Sequence, residues 1–393
     1  MFSSHYFHHT LTRELSELYI TTIIRAFAGN MLLIFTPLYF FNIGFSIVEI
    51  LLFAAISYAT FGLSSITLGA HTVVHFGHER SIALSVPLLL AYNYLLFTLT
   101  NSTTNFFLAA IVLGIHNSIY WVAYHSEFAH EQSRQNVGEE IGFSKVLIGL
   151  AGVVAPAIAG FIITSSGFGT VLIASSLLMV LGLIPILRTP ELWKPGTVSS
   201  YSILRMFSDK NSSKDVVGYL ASGEDVIASF IWPLFLFFII PSYTDIGILT
   251  TFATLFTFIL FLWIGKKSNF TSNTKPLISH IGGLITFSWL ARILAISPFV
   301  ALITDTLYRI SAHTLSIPLT AFVYQKEKTK EIIEYTAFWM ACLSFGKMIT
   351  ALLAALVVYY TGNLVYTFIL AALLSMLYFV WSDTFNKKFI VTK

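Results

Sequence analysis

The chain is a succession of twelve long apolar segments joined by polar connections. About 20 apolar residues in a helix cross the hydrocarbon of a bilayer. The segments cover residues 18–40, 48–71, 81–99, 106–128, 141–164 and 170–187, then 216–240, 246–264, 276–296, 299–324, 335–360 and 364–381. Charge orders them. Apart from Arg25, Lys145, Arg292, Arg309 and Lys347, every Lys and Arg lies in the chain ends or in loops that alternate crossing places on one side. The loops of the other side carry none. This is the positive-inside pattern. It predicts an integral protein of the cytoplasmic (inner) membrane with both termini in the cytoplasm.

Composition agrees. Only 10% of the residues are charged and mean hydropathy is +0.79, whereas a soluble domain is about 25% charged. A water-soluble core is excluded. The net charge of +3 belongs to loops facing anionic lipid, so no nucleic-acid partner is expected. The single cysteine, Cys342, rules out an internal disulfide and argues against a Cys-based zinc site. No metal or cofactor site is expected, and His5, His8 and His9 read as a His-rich tail. The first apolar run is too long for a cleaved signal peptide and reads as an anchor. Without a phosphate loop, a Gly-x-Ser-x-Gly elbow or a His-Glu-x-x-His helix, the chain does not read as an enzyme.

The outer connections are short and force neighbouring helices to run antiparallel. The longest inner connection, 188–215, is rich in Ser, Pro and Lys. It reads as a cytoplasmic linker with a short surface helix near 202–208. It divides the chain into an N-terminal six-helix bundle, 1–187, and a C-terminal one, 216–393. An inverted five-plus-five repeat would need Gly-rich breaks in helices 1 and 6. Only Ala28-Gly29-Asn30 hints at one.

Six plus six spans around a long central loop resemble the major facilitator superfamily of secondary transporters. In that family's loop between helices 2 and 3, Gly77 matches the second glycine and Arg80 lies just beyond the basic pair, while Val74 stands at the acidic position. The matching loop between helices 8 and 9 keeps Gly265-Lys266-Lys267. Gly142, Ala151, Ala155-Pro156 and Ala159-Gly160 resemble the Gly-rich signature of helix 5, which in the family goes with antiporting exporters. Small residues there let helices approach closely, and Pro156 bends the span. The resemblance implies an all-α membrane fold working by alternating access, with a central cavity lined mainly by helices 1, 4, 7 and 10.

Polar residues concentrate on those four helices. Helix 1 carries Arg25. Helix 4 carries His116, Asn117, Tyr120 and His125. Helix 7 carries Glu224 and Asp225, and helix 10 carries Asp305, Arg309 and His313. Charges at membrane depth are costly and mark function. Asp305, Arg309 and His313 are spaced i, i+4, i+8 on one face, so Asp305 and Arg309 can pair. Arg25 and Glu224 lie at comparable depth and read as a cross-bundle pair. Only one of Glu224 and Asp225 can face the cavity, because helix neighbours point about 100° apart. These carboxylates are the first candidates for a coupling proton, then Asp305; the histidines titrate near neutrality. Lys347 is too deep to reach water easily and is a secondary candidate, expected to meet a carboxylate of the C-terminal bundle. Lys145 and Arg292 read as snorkelling residues. Glu127, Glu131 and Arg134 read as solvated groups or an inner gate.

The sequence thus predicts a monomeric secondary transporter of a small-molecule substrate, proton-coupled and with export favoured. An importer or uniporter of a polar metabolite, a non-transporting receptor and an intramembrane enzyme are the alternatives.

Overall fold

The computed structural model describes residues 13–100, 102–131, 137–187, 196–209, 212–267, 274–326 and 332–379. Within them the chain is helical throughout, with no strand. Seven helical runs are long and apolar enough to cross a membrane. Three shorter ones, Ala151–Ser166, Tyr243–Ile259 and Val365–Phe379, are also apolar. The surface agrees with lipid as its solvent: Leu63, Phe161, Leu177 and Phe287 are each at least 60% exposed. Such a concentration of bare apolar side chains marks a membrane or protein contact.

Several expected spans are not single helices. The first is α1 (Arg13–Leu33) and α2 (Thr36–Asn42), separated where Pro37 has no N–H to continue the ladder. The second begins at Ser46, whose hydroxyl accepts from the Glu49 amide at 3.2 Å while the Glu49 carboxylate accepts from the Ser46 amide at 2.8 Å. This capping box starts α3 (Ile47–Ser64), which passes through a π turn, Ser65–Gly69, into α4 (Ala70–Phe76). Gly77, at φ 92°, ends it. Only glycine takes that conformation without strain, so α5 (His78–Phe97) can begin at the next residue.

Next come α6 (Thr103–Glu131), α7 (Val137–Ser166), α8 (Phe168–Leu181) and α9 (Leu183–Ile186). In the linker, α10 (Ser200–Met206) stands close to the expected 202–208. It is seated rather than free. Ile203 is fully buried, the Ser200 hydroxyl donates to the Ile66 carbonyl at 3.0 Å, and the Ser199 amide donates to Glu334 at 2.9 Å. The seventh apolar segment is the most broken: α11 (Ser213–Ala221), a 3₁₀ turn at Ser222–Glu224, a π turn at Ile227–Ile231 and α12 (Trp232–Ile239). Then follow α13 (Tyr243–Lys267), α14 (Thr274–Arg292), α15 (Pro298–Lys326), α16 (Ile332–Thr361) and α17 (Val365–Ser375).

Two long contacts join the halves of the chain: α3 lies along α16, and α7 along α13. The second explains two glycines, Gly160 of α7 and Gly247 of α13. A side chain at Gly160 would strike the Tyr243 carbonyl, and one at Gly247 would strike the Pro156 carbonyl. The backbones touch because both positions lack a Cβ. The amide after Pro156, Ala157 N–H, donates to Thr251 Oγ1 at 3.2 Å, so α13 supplies a side-chain partner beside the proline.

Candidate functional site

A cavity of about 310 Å³ lies between the halves. The first half contributes Asn30 of α1 and Gly152 and Pro156 of α7. The second contributes Asp225 and Trp232 of the broken seventh segment, Thr254 of α13, and Asp305, Arg309 and His313 of α15. Small residues of α7 leave the space and charged residues of the second half shape its wall.

The helix break decides how Glu224 and Asp225 divide. Asp225 lines the cavity, with its side chain 45% exposed, and accepts from Lys347 Nζ of α16 at 2.7 Å. Lys347 also lies 5.3 Å from the ring of Tyr58 on α3. This ion pair therefore sits at the α3–α16 contact between the halves. Glu224 points the other way. It is 2% exposed, and its Oε2 accepts from Trp289 Nε1 at 2.7 Å and from the Tyr308 hydroxyl at 3.0 Å. The expected pairing of Glu224 with Arg25 is not found. Adjacent positions diverge at the 3₁₀ turn, and Glu224 turns into its own half.

Asp305 is shared by two guanidinium groups. Its Oδ2 accepts from Arg309 Nε at 2.7 Å, as the i, i+4 spacing predicts. Its Oδ1 accepts from Arg292 Nη2 at 2.7 Å. Arg292 was expected to reach the headgroups, yet it is fully buried. Its guanidinium carbon lies 4.1 Å from the ring of Trp232, 4.2 Å from Tyr308 and 4.4 Å from Trp289. Three aromatic faces stabilise the cation where water cannot. Trp232, Trp289 and Tyr308 escaped the sequence reading because they come from three separate segments. The i, i+3 spacing of Trp289 and Arg292 was the one local signal. Arg309 is 27% exposed toward the cavity, and His313 is exposed there.

The helix 4 residues form a separate cluster within the first half. Tyr120, 4% exposed, lies flat beneath the Arg25 guanidinium at 3.5 Å. His116 Nδ1 is 2.7 Å from the Ser85 carbonyl. A carbonyl only accepts, so Nδ1 carries the proton and Nε2 faces Arg25 Nη2 at 3.4 Å. Arg25 Nη1 has no hydrogen-bond partner among the described residues. Asn117 is half-buried on α6. None of these four lines the cavity. The expectation that helices 1 and 4 bring their polar residues to the same space as helices 7 and 10 is thus corrected: Arg25 turns toward α6, where His116 and Tyr120 hold it, and Asn30 is the polar residue of α1 at the cavity. His125 meets Trp339 of α16 at 4.7 Å between ring centres. Glu127 is buried. Arg134, His5, His8, His9 and the side chains of Glu131 and Lys145 lie outside the described residues. No group of three or more metal-ligating side chains occurs among the described residues.

Solved structures share this fold over nearly the whole chain. A variant of the E. coli fucose:proton symporter FucP superposes with a TM-score of 0.67 over 96% of this chain and 99% of its own, at 13% identity. The chain has the fold of the major facilitator superfamily. A variant of the nucleoside transporter NupG superposes equally well, with a TM-score of 0.67 over 95% of this chain and 100% of its own, at 14% identity. No family model and no curated protein matches the sequence.

Proposed function

We infer that the protein is a secondary active transporter that moves a small polar solute by alternating access, coupled to protons. One observation carries this reading. A cavity of about 310 Å³ is walled by both halves and presents ion-paired carboxylates, Asp225 and Asp305. A site shared between two halves can open to either side when they rock. A secondary transporter also needs a charge that changes during the cycle. Asp225 is the best-placed carboxylate, because it is reachable from the cavity and its partner Lys347 touches the opposite half through Tyr58. Protonating Asp225 releases Lys347 and loosens the α3–α16 contact.

The reading includes twelve spans, composite where the helices break, in two six-helix bundles, 1–187 and 216–393, joined by the 188–215 linker. It places both termini in the cytoplasm and the protein in the cytoplasmic membrane as a monomer. It includes no direction of transport. Of the small residues of α7 that suggested export, Gly160 packs directly against the Tyr243 backbone of α13.

Flux in proteoliposomes tests the function. The expected result is accumulation of a solute from a polar-metabolite panel, driven by an imposed pH gradient and abolished by a protonophore. Solute flux that ignores the gradient overturns proton coupling. Saturable binding with no flux in any orientation overturns transport in favour of a receptor.

A further inference from the structure

We propose that the solute carries an anionic group, a carboxylate or a phosphate, and that Arg309 is the residue that recognises it. This rests on the cavity being the solute site.

The argument begins with the pairing of charges at the wall. Asp225 is matched one to one by Lys347. Asp305 is not matched one to one: each of its oxygens accepts from a different arginine. Arg292 is fully buried in its aromatic cage and does not line the cavity. Arg309 is the member of the pair that is exposed there. Its Nε is used by Asp305, while its Nη groups donate to no acceptor among the described residues. Glu224 offsets the second arginine only from behind, since it is 2% exposed and held by Trp289 and Tyr308 rather than by either guanidinium.

The cavity is therefore offered the outer edge of a guanidinium whose carboxylate is already shared. Two parallel N–H donors match a carboxylate or phosphate edge, and a fixed Nε–carboxylate bond holds them in place. A neutral ligand's oxygens can accept from those donors but leave the cationic charge uncompensated once the halves close around it, which costs free energy at a buried site. An anion satisfies them and the surplus charge together. Thr254 and Asn30, on facing elements of the two halves, supply neutral polar groups for the remainder of the solute.

The test reads binding without flux. The full chain, purified in detergent, is melted in inorganic phosphate and in chloride at equal ionic strength. Phosphate should raise the melting temperature relative to chloride in a saturable way. Arg309→Gln should weaken the apparent affinity for phosphate about ten- to hundred-fold, and Arg309→Lys should weaken it less. Asp225→Asn, which removes the negative charge from the cavity wall, should tighten it. Equal melting of the wild type in phosphate and chloride overturns the proposal, as does undiminished phosphate stabilisation in Arg309→Gln. If Arg309→Gln does not fold, undiminished phosphate affinity in Arg309→Lys overturns it instead. A short-chain phosphatidylglycerol arm separates a lipid headgroup from a soluble anion, and stabilisation by the lipid alone also overturns it. Failure of the transport reading looks different: phosphate binding through Arg309 without solute flux refutes transport and leaves anion recognition standing.

Discussion

Arg292 and Asp305 meet at 2.7 Å with essentially no exposure of either side chain, and the arginine is closed in by Trp232, Trp289 and Tyr308. This pair ties α14 to α15 behind the cavity. Removing one partner of a buried ion pair costs about 3–5 kcal/mol, because the other charge is left behind. Arg292→Met and Asp305→Asn should each lower the melting temperature markedly in detergent, and the double variant should lose less than the sum. Arg292→Lys should not restore stability, since an ammonium lacks the planar faces that the three rings cover. A wild-type melting curve for Arg292→Met would sink this account of the cage.

Asp225 and Glu224 are neighbours in sequence with opposite surroundings, and their neutral variants should separate. Asp225→Asn should abolish accumulation driven by a pH gradient while solute exchange continues, because the neutral amide mimics the protonated carboxyl. Glu224→Gln should keep coupling, since the Gln oxygen can still accept from Trp289 and Tyr308. Both are read in proteoliposomes, with and without a gradient. Coupling retained by Asp225→Asn and lost in Glu224→Gln would transfer the role to the buried residue.

Gly160 and Gly247 set how closely α7 and α13 approach. Gly160→Leu forces the Tyr243 carbonyl away and should reduce flux at least about ten-fold, with a loss of stability in the range of about 1–3 kcal/mol expected of overpacking. Gly160→Ala should be milder. Normal flux in the leucine variant would show that the contact is not needed for the transport cycle.

The charge pattern predicts orientation. Reporter fusions after Trp193 and at the C-terminus should read cytoplasmic, and reporters at Asn101 and Asn363 should read outside. A cytoplasmic signal at Asn363 would mean that α16 and α17 do not both cross.

What the amino-acid order determined by itself was the solvent and the local geometry. Apolar segments of spanning length force helices into lipid, because no other open structure satisfies its backbone there. The same logic made Asp305–Arg309 legible, since i, i+4 neighbours on one helix meet wherever the helix goes. The small residues of α7 were readable as a close contact for the same local reason, and Gly160 makes one with the Tyr243 carbonyl. Tertiary structure decided the rest. Arg292 looked like a headgroup residue until α14, α15 and the broken seventh segment enclosed it. Arg25 and Glu224 lay at similar depth, yet depth does not fix direction around a helix axis. The 3₁₀ and π turns near Glu224 change the side-chain angles there, and no periodic rule carries through such a break. Contacts between residues far apart in the chain depend on how whole helices pack. That packing is chosen by the summed fit of many side chains, and no single segment contains it.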